Sequence, residues 1–100
     1  MTGVGVEPVE KIMALELADF HRSLRALAPD LDLSEGTRDV RIPDDGRWVA
    51  ITFEALPSET LGGLLALPRA RVTLRFDGHD AEQRSAFLAR FDQAFQRGGG

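Results

Sequence analysis

The clearest periodicity in the chain lies between residues 39 and 53. Val40 and Ile42 alternate with Asp39 and Arg41, Pro43-Asp44-Asp45-Gly46 supplies turn-forming residues, and Val49, Ile51 and Phe53 alternate with Trp48, Ala50 and Thr52. Alternation with a period of two marks strands buried on one face, and Pro, Asp and Gly between two such runs mark a hairpin. With residues 43–46 as the loop, Ile42 pairs with Arg47, Arg41 with Trp48 and Val40 with Val49. Paired residues share a face, so Val40 and Val49 point inward and Arg41 and Trp48 outward.

A further strand follows at 69–76, RARVTLRF. Ala70, Val72, Leu74 and Phe76 face one way and Arg69, Arg71, Thr73 and Arg75 the other, the pattern of a half-buried antiparallel strand. Asp77-Gly78-His79 turns the chain. Asp80 then caps a last helix, with Gln83 three residues on as its capping-box partner. Phe87, Leu88, Phe91, Ala94 and Phe95 recur on one side of that helix. Arg97 suits its negative end, and Gly98 suits a left-handed C′ position that stops it.

Two segments read less simply. Over residues 8–28, Val9, Met13, Leu17, Phe20, Leu24 and Leu27 form one face of a long helix, with Pro8 in its first turn and Pro29 as its stop. The same residues also split into a strand over Lys11 to Leu17, an N-cap at Asp19 and a short helix over Phe20 to Ala28. Between Pro57 and Pro68, SETLGGLLAL predicts a short helix capped by Ser58 with Leu61, Leu64 and Leu65 inward, weakened by Gly62-Gly63.

The elements add up to an α+β domain, a single antiparallel sheet of three to four strands with two main helices on one face. Where the early strand forms, the β-α-β-β-α-β order resembles a ferredoxin-like plait with an extra C-terminal helix. Residues 1–7 read as a tail, 8–97 as one domain and 98–100 as a glycine tail. The chain has 100 residues, 43% of them hydrophobic and 28% charged, enough to bury one modest core.

Charge changes the picture locally. The net charge is −4 from 12 basic and 16 acidic side chains, but residues 69–100 alone carry 6 basic and 4 acidic groups. Overall acidity disfavours non-specific binding to nucleic acid or membrane, while the basic end leaves room for a local anion-binding surface. There is no cysteine, which excludes disulfides, thiolate metal sites and cysteine nucleophiles. The N-terminus has no basic segment leading into an apolar run, and a reducing cytoplasm fits.

The open face of the sheet is the strongest candidate site. It carries Arg41, Trp48, Arg69, Arg71 and Arg75, together with Asp39, Thr52, Thr73 and Glu54. Arginines beside an aromatic are the residue types of protein-interface hot spots, and also those that stack bases and hold phosphates. The face has one aromatic and lacks the RNA-recognition signature, so a protein partner or a second copy of the chain ranks above an anionic ligand or single-stranded RNA.

Catalytic vocabulary is thin. Asp77, His79 and Asp80, with His21 and Asp19, have no metal-ligand spacing, and Ser23, Ser34, Ser58 and Ser85 lie in no nucleophile elbow. Gly62-Gly63 lacks the lysine of a phosphate-binding loop, and the expected function is non-catalytic binding without metal or cofactor. The terminal glycines resemble the tail of ubiquitin-like sulfur carriers. Those carriers begin with a hairpin and reach the glycines from a strand, whereas here the hairpin lies mid-chain and a helix precedes the glycines.

Overall fold

The computed structural model describes residues 7–63 and 65–99. The elements are β1 Val9–Met13, α1 Leu17–Leu27, β2 Asp39–Asp44, β3 Arg47–Leu61, β4 Leu65–Asp77 and α2 Ala81–Gly99. The strands form one antiparallel sheet in the order β1-β4-β3-β2. Both helices cover the same face, so the layering is that of the expected α+β plait, a four-stranded antiparallel sheet under two main helices.

Strand alternation sets this layering directly. Val40, Ile42, Val49, Ile51, Phe53, Ala70, Val72, Leu74 and Phe76 all point to the helix side and are buried. They meet Phe20 and Leu24 of α1 and Phe87, Phe91 and Phe95 of α2 in one cluster. The Phe91 and Phe95 rings stack at 4.1 Å, and Phe76 meets Phe87 edge-on at 5.8 Å. Such ring pairs add to the area term that dominates core stability.

Residues 8–28 split into strand and helix. The strand runs Val9–Met13 and the helix starts at Leu17, three residues before the start expected from an Asp19 cap. Glu16 is the N-cap, and Asp19 reaches back from the third helical position, its Oδ2 accepting from the Glu16 N–H at 3.2 Å. The strong helix formers in β1 yield to tertiary pairing, because β1 completes the otherwise bare edge of β4 from Val9↔Leu74 to Met13↔Ala70. Lys11 lies on the helix side and snorkels to Asp92 of α2, Nζ to Oδ1 at 3.2 Å.

The β2–β3 hairpin differs from expectation by two residues of register. Val40 faces Ile51, Ile42 faces Val49 and Asp44 faces Arg47, so the loop is Asp45-Gly46 alone. Both residues have positive φ, 56° and 81°, as a two-residue type I′ turn requires. A shift of two preserves the face of every side chain, and the inward and outward sets stand as expected.

The segment between Pro57 and Pro68 is not a helix. β3 and β4 continue through it as a hairpin from Leu56↔Arg69 to Leu61↔Leu65, beyond the reach of β1 and β2. Gly62 and Gly63 have φ of 63° and 73° in its turn, and two glycines already cost a helix about 2 kcal/mol against alanine. The pairing slips between Leu56 and Glu59, where Pro57 and Pro68 cannot donate to the ladder. Leu64 lies outside the described residues.

α2 opens as expected: Gln83 N–H donates to Asp80 Oδ1 at 2.8 Å and Asp80 N–H to Gln83 Oε1 at 2.9 Å. Its end differs. The helix continues through Gly98 to Gly99, so Gly98 is not its stop. Glycine weakens a helix without clashing in it, which lets the last turn propagate.

Candidate functional site

Among the described residues no element covers the face of the sheet opposite the helices. Register places its side chains in rows across the strands. Trp48 lies between Asp77 and Pro43. Ala50 lies between Arg75 and Arg41. In the third row Thr73 and Thr52 separate Glu10 from Asp39, and in the fourth Arg71 separates Ile12 from Glu54.

Arg41, Trp48, Arg71 and Arg75 lie in these rows, and Arg69 lies beyond them. The Arg41 guanidinium carbon sits 4.8 Å from the centre of the Trp48 ring, a cation–π contact. Arg71 is held by carboxylates, with Nη1 2.7 Å from Glu54 and Nε 3.7 Å from Glu10. Arg75 is exposed, one strand away from Ala50 and two from Arg41. Arg69 is half-buried at the root of the hairpin extension, on the wall of a cleft of about 230 Å³ that Leu15, Leu17 and Phe53 also line. Thr52 Oγ1 donates to Asp39 Oδ1 at 2.8 Å, fixing that carboxylate on the surface.

Ile12 belongs to the site although the sequence pattern did not single it out. It is 51% exposed and Trp48 is 42% exposed, and these are the two large hydrophobic residues left in water among the described residues. The strand reading of residues 11–17 carried the signal, since alternation from Lys11 puts Ile12 outward. Its competition with a helix reading masked it.

A second polar constellation joins the end of β2, the loop after β4 and the middle of α2. His79 Nε2 donates to Asp44 Oδ2 at 2.9 Å, and Arg90 Nη1 donates to Asp44 Oδ1 at 3.2 Å. The His79 side chain is fully buried and packs edge-on against Phe76 at 5.1 Å. Burial works to raise the Asp44 carboxyl, but the hydrogen bonds and charges of His79 and Arg90 outweigh it and hold the group below its ordinary value. This trio ties the β2–β3 turn to α2. Arg90 also borders a cleft of about 260 Å³ walled by Leu27, Leu31 and Ile42, which has only Asp30 as a further charged group.

The turn residues therefore do not assemble a metal site. His79 points inward to Asp44, Asp80 is committed to its cap, and among the described residues no three His, Cys, Asp or Glu side chains cluster to hold an ion. His21 Nε2 lies 2.7 Å from the Thr37 carbonyl oxygen, and neither histidine hydrogen-bonds a serine among the described residues. No helix among them is long and apolar enough to cross a membrane. No protein family, curated protein or solved structure matches the chain.

Proposed function

We propose that this chain is a non-catalytic binding domain that docks a protein partner on the open face of its sheet. The observation that carries the reading is the placement of Trp48 and Ile12. The two large apolar side chains left exposed among the described residues both lie on the face that no helix covers. Trp48 with Arg41 stacked on it is a rigid, amphipathic anchor of the type that dominates interface energetics. An anionic ligand or single-stranded RNA on the same arginines is disfavoured by what surrounds them. Glu10, Asp39, Glu54 and Asp77 share the face, and Arg71 is already paired with two of these carboxylates.

Capture from the native cell extract with immobilised protein tests the reading. The wild type and a control variant on the helix side, Ser85→Glu, should retain the same bound protein, and Trp48→Glu should lose it. Retention by Trp48→Glu removes the face from the account. Quenching of Trp48 emission by single-stranded RNA at low salt, relieved as salt rises, replaces the protein partner with nucleic acid.

A further inference from the structure

The charges on the open face are arranged so that the face complements itself. The Arg75–Ala50–Arg41 row lies immediately beside the row of Glu10, Thr73, Thr52 and Asp39. Two cations therefore border two carboxylates, with the small residues Ala50, Thr52 and Thr73 between them. The outer rows hold the apolar anchors, Trp48 on the interior strand β3 in the first row and Ile12 on the edge strand β1 in the fourth.

We infer that the partner on this face is a second copy of the chain, docked sheet to sheet about a two-fold axis. The inference rests on the reading of the open face as a protein-docking surface. An axis lying in the interface and crossing the strands between the second and third rows exchanges those rows. The Arg41 and Arg75 row of each copy then lies over the Glu10 and Asp39 row of the other, twice over. The same operation lays strand over like strand in the outer rows, so Asp77 lies over Arg71, Trp48 is covered at the β3 position of Glu54, and Ile12 lies at the β1 edge of the contact. A two-fold contact needs such self-complementarity, because every residue meets the symmetry mate of its own partner. Pairing either central row with itself instead sets the arginine row on the arginine row or the carboxylate row on the carboxylate row.

The size of the face sets the strength. Strands lie about 4.8 Å apart and rise about 3.3 Å per residue, so four strands over the four rows present roughly 400 Å² of flat area per copy. That falls at the small end of specific interfaces, whose typical contribution is about 800 Å² per partner. The dimer is accordingly weak and concentration-dependent, and its opposed charges fix register and orientation more than they add affinity.

Sedimentation velocity from low micromolar to near-millimolar protein tests this, with a charge-swapped pair as the decisive arm. The wild type should pass from monomer to dimer and dissociate more readily as salt rises. Arg41→Glu with Arg75→Glu places four carboxylates on the face centre, and Glu10→Arg with Asp39→Arg places four arginines there. Each double variant, with its far-UV circular dichroism unchanged, should weaken self-association by more than about tenfold. An equimolar mixture of the two should associate again, because each acidic row then meets a basic one. A wild type that stays monomeric throughout, double variants that dimerise as the wild type does, or a mixture that fails to associate overturns the inference. A monomeric wild type leaves the docking face itself standing if capture from the extract still depends on Trp48. Dimerisation that survives both swaps, together with capture indifferent to Trp48, removes both.

Discussion

The Arg41 guanidinium stacks over Trp48 at 4.8 Å although the two are not cross-strand partners: Trp48 faces Pro43, and Arg41 faces Ala50. The contact is diagonal, and it exists because Ala50 leaves room for a long side chain to lean across. A cation–π contact at an exposed site contributes about 0.5–1 kcal/mol. Arg41→Ala should therefore lower stability by no more than that in chemical denaturation and should shift Trp48 emission, while Arg41→Lys retains part of both. Unchanged emission in Arg41→Ala means that the stacking does not persist in solution.

Asp44 supplies a pH dependence with a definite sign. Folding holds its carboxyl below the ordinary value of 3.8, so its contribution is present above that value and is lost as the pH falls toward the folded-state value. Asp44→Asn should be less stable than the wild type at neutral pH by about 1–3 kcal/mol, because His79 and Arg90 lose a charged acceptor. The gap should close on acidification below about 3.8. Denaturant melts of both proteins at neutral and acid pH check this, and a gap that is constant with pH contradicts it.

The hairpin turn Asp45-Gly46 makes a local prediction. Gly46 has φ of 81°, a conformation that a side chain adopts only with strain. Gly46→Val should cost about 1–3 kcal/mol, whereas Asp45→Asn, at φ of 56°, should be near neutral because asparagine also tolerates the left-handed region. Thermal melts of the two variants should differ in that order.

Beyond Ala55 and Ala70, β3 and β4 pair only with each other, and among the described residues the buried core side chains lie outside that extension. A two-stranded hairpin on its own is marginal in water. Replacing residues 59–67 with a two-residue Asn-Gly turn should leave the far-UV spectrum of the domain recognisable and its melting cooperative. Loss of folding in that variant means that the extension supports the core.

Most of the layering was legible in the residues because it depends only on which way side chains point. The two-residue slip in the first hairpin shows why: register moved, yet Val40, Ile42, Val49 and Ile51 stayed inward. Asp45-Gly46 held the information for the tighter loop, and Pro43 drew the expected turn too early. The residues flanking Gly62-Gly63 misled in the opposite sense. Spaced leucines resembled a helix face, while the paired glycines and the flanking prolines carried the hairpin. Ile12 and the bond from His79 to Asp44 depend on long-range pairing, the first on β1 docking beside β4 and the second on a contact 35 residues apart. The bond leaves no local pattern in the chain, and the alternation that puts Ile12 outward competes with a helix reading until β1 docks.

Trp48 is the only tryptophan in the chain, so its emission reports on the open face directly. The most direct measurement follows that emission from dilute to near-millimolar protein, for the wild type and for the variant carrying Arg41→Glu and Arg75→Glu. The account predicts a shift to shorter wavelength in the concentrated wild type, as the ring leaves water, and no such shift in the variant. An emission maximum that stays constant with concentration, and constant again when a protein captured from the extract is added, would show that nothing docks on this face.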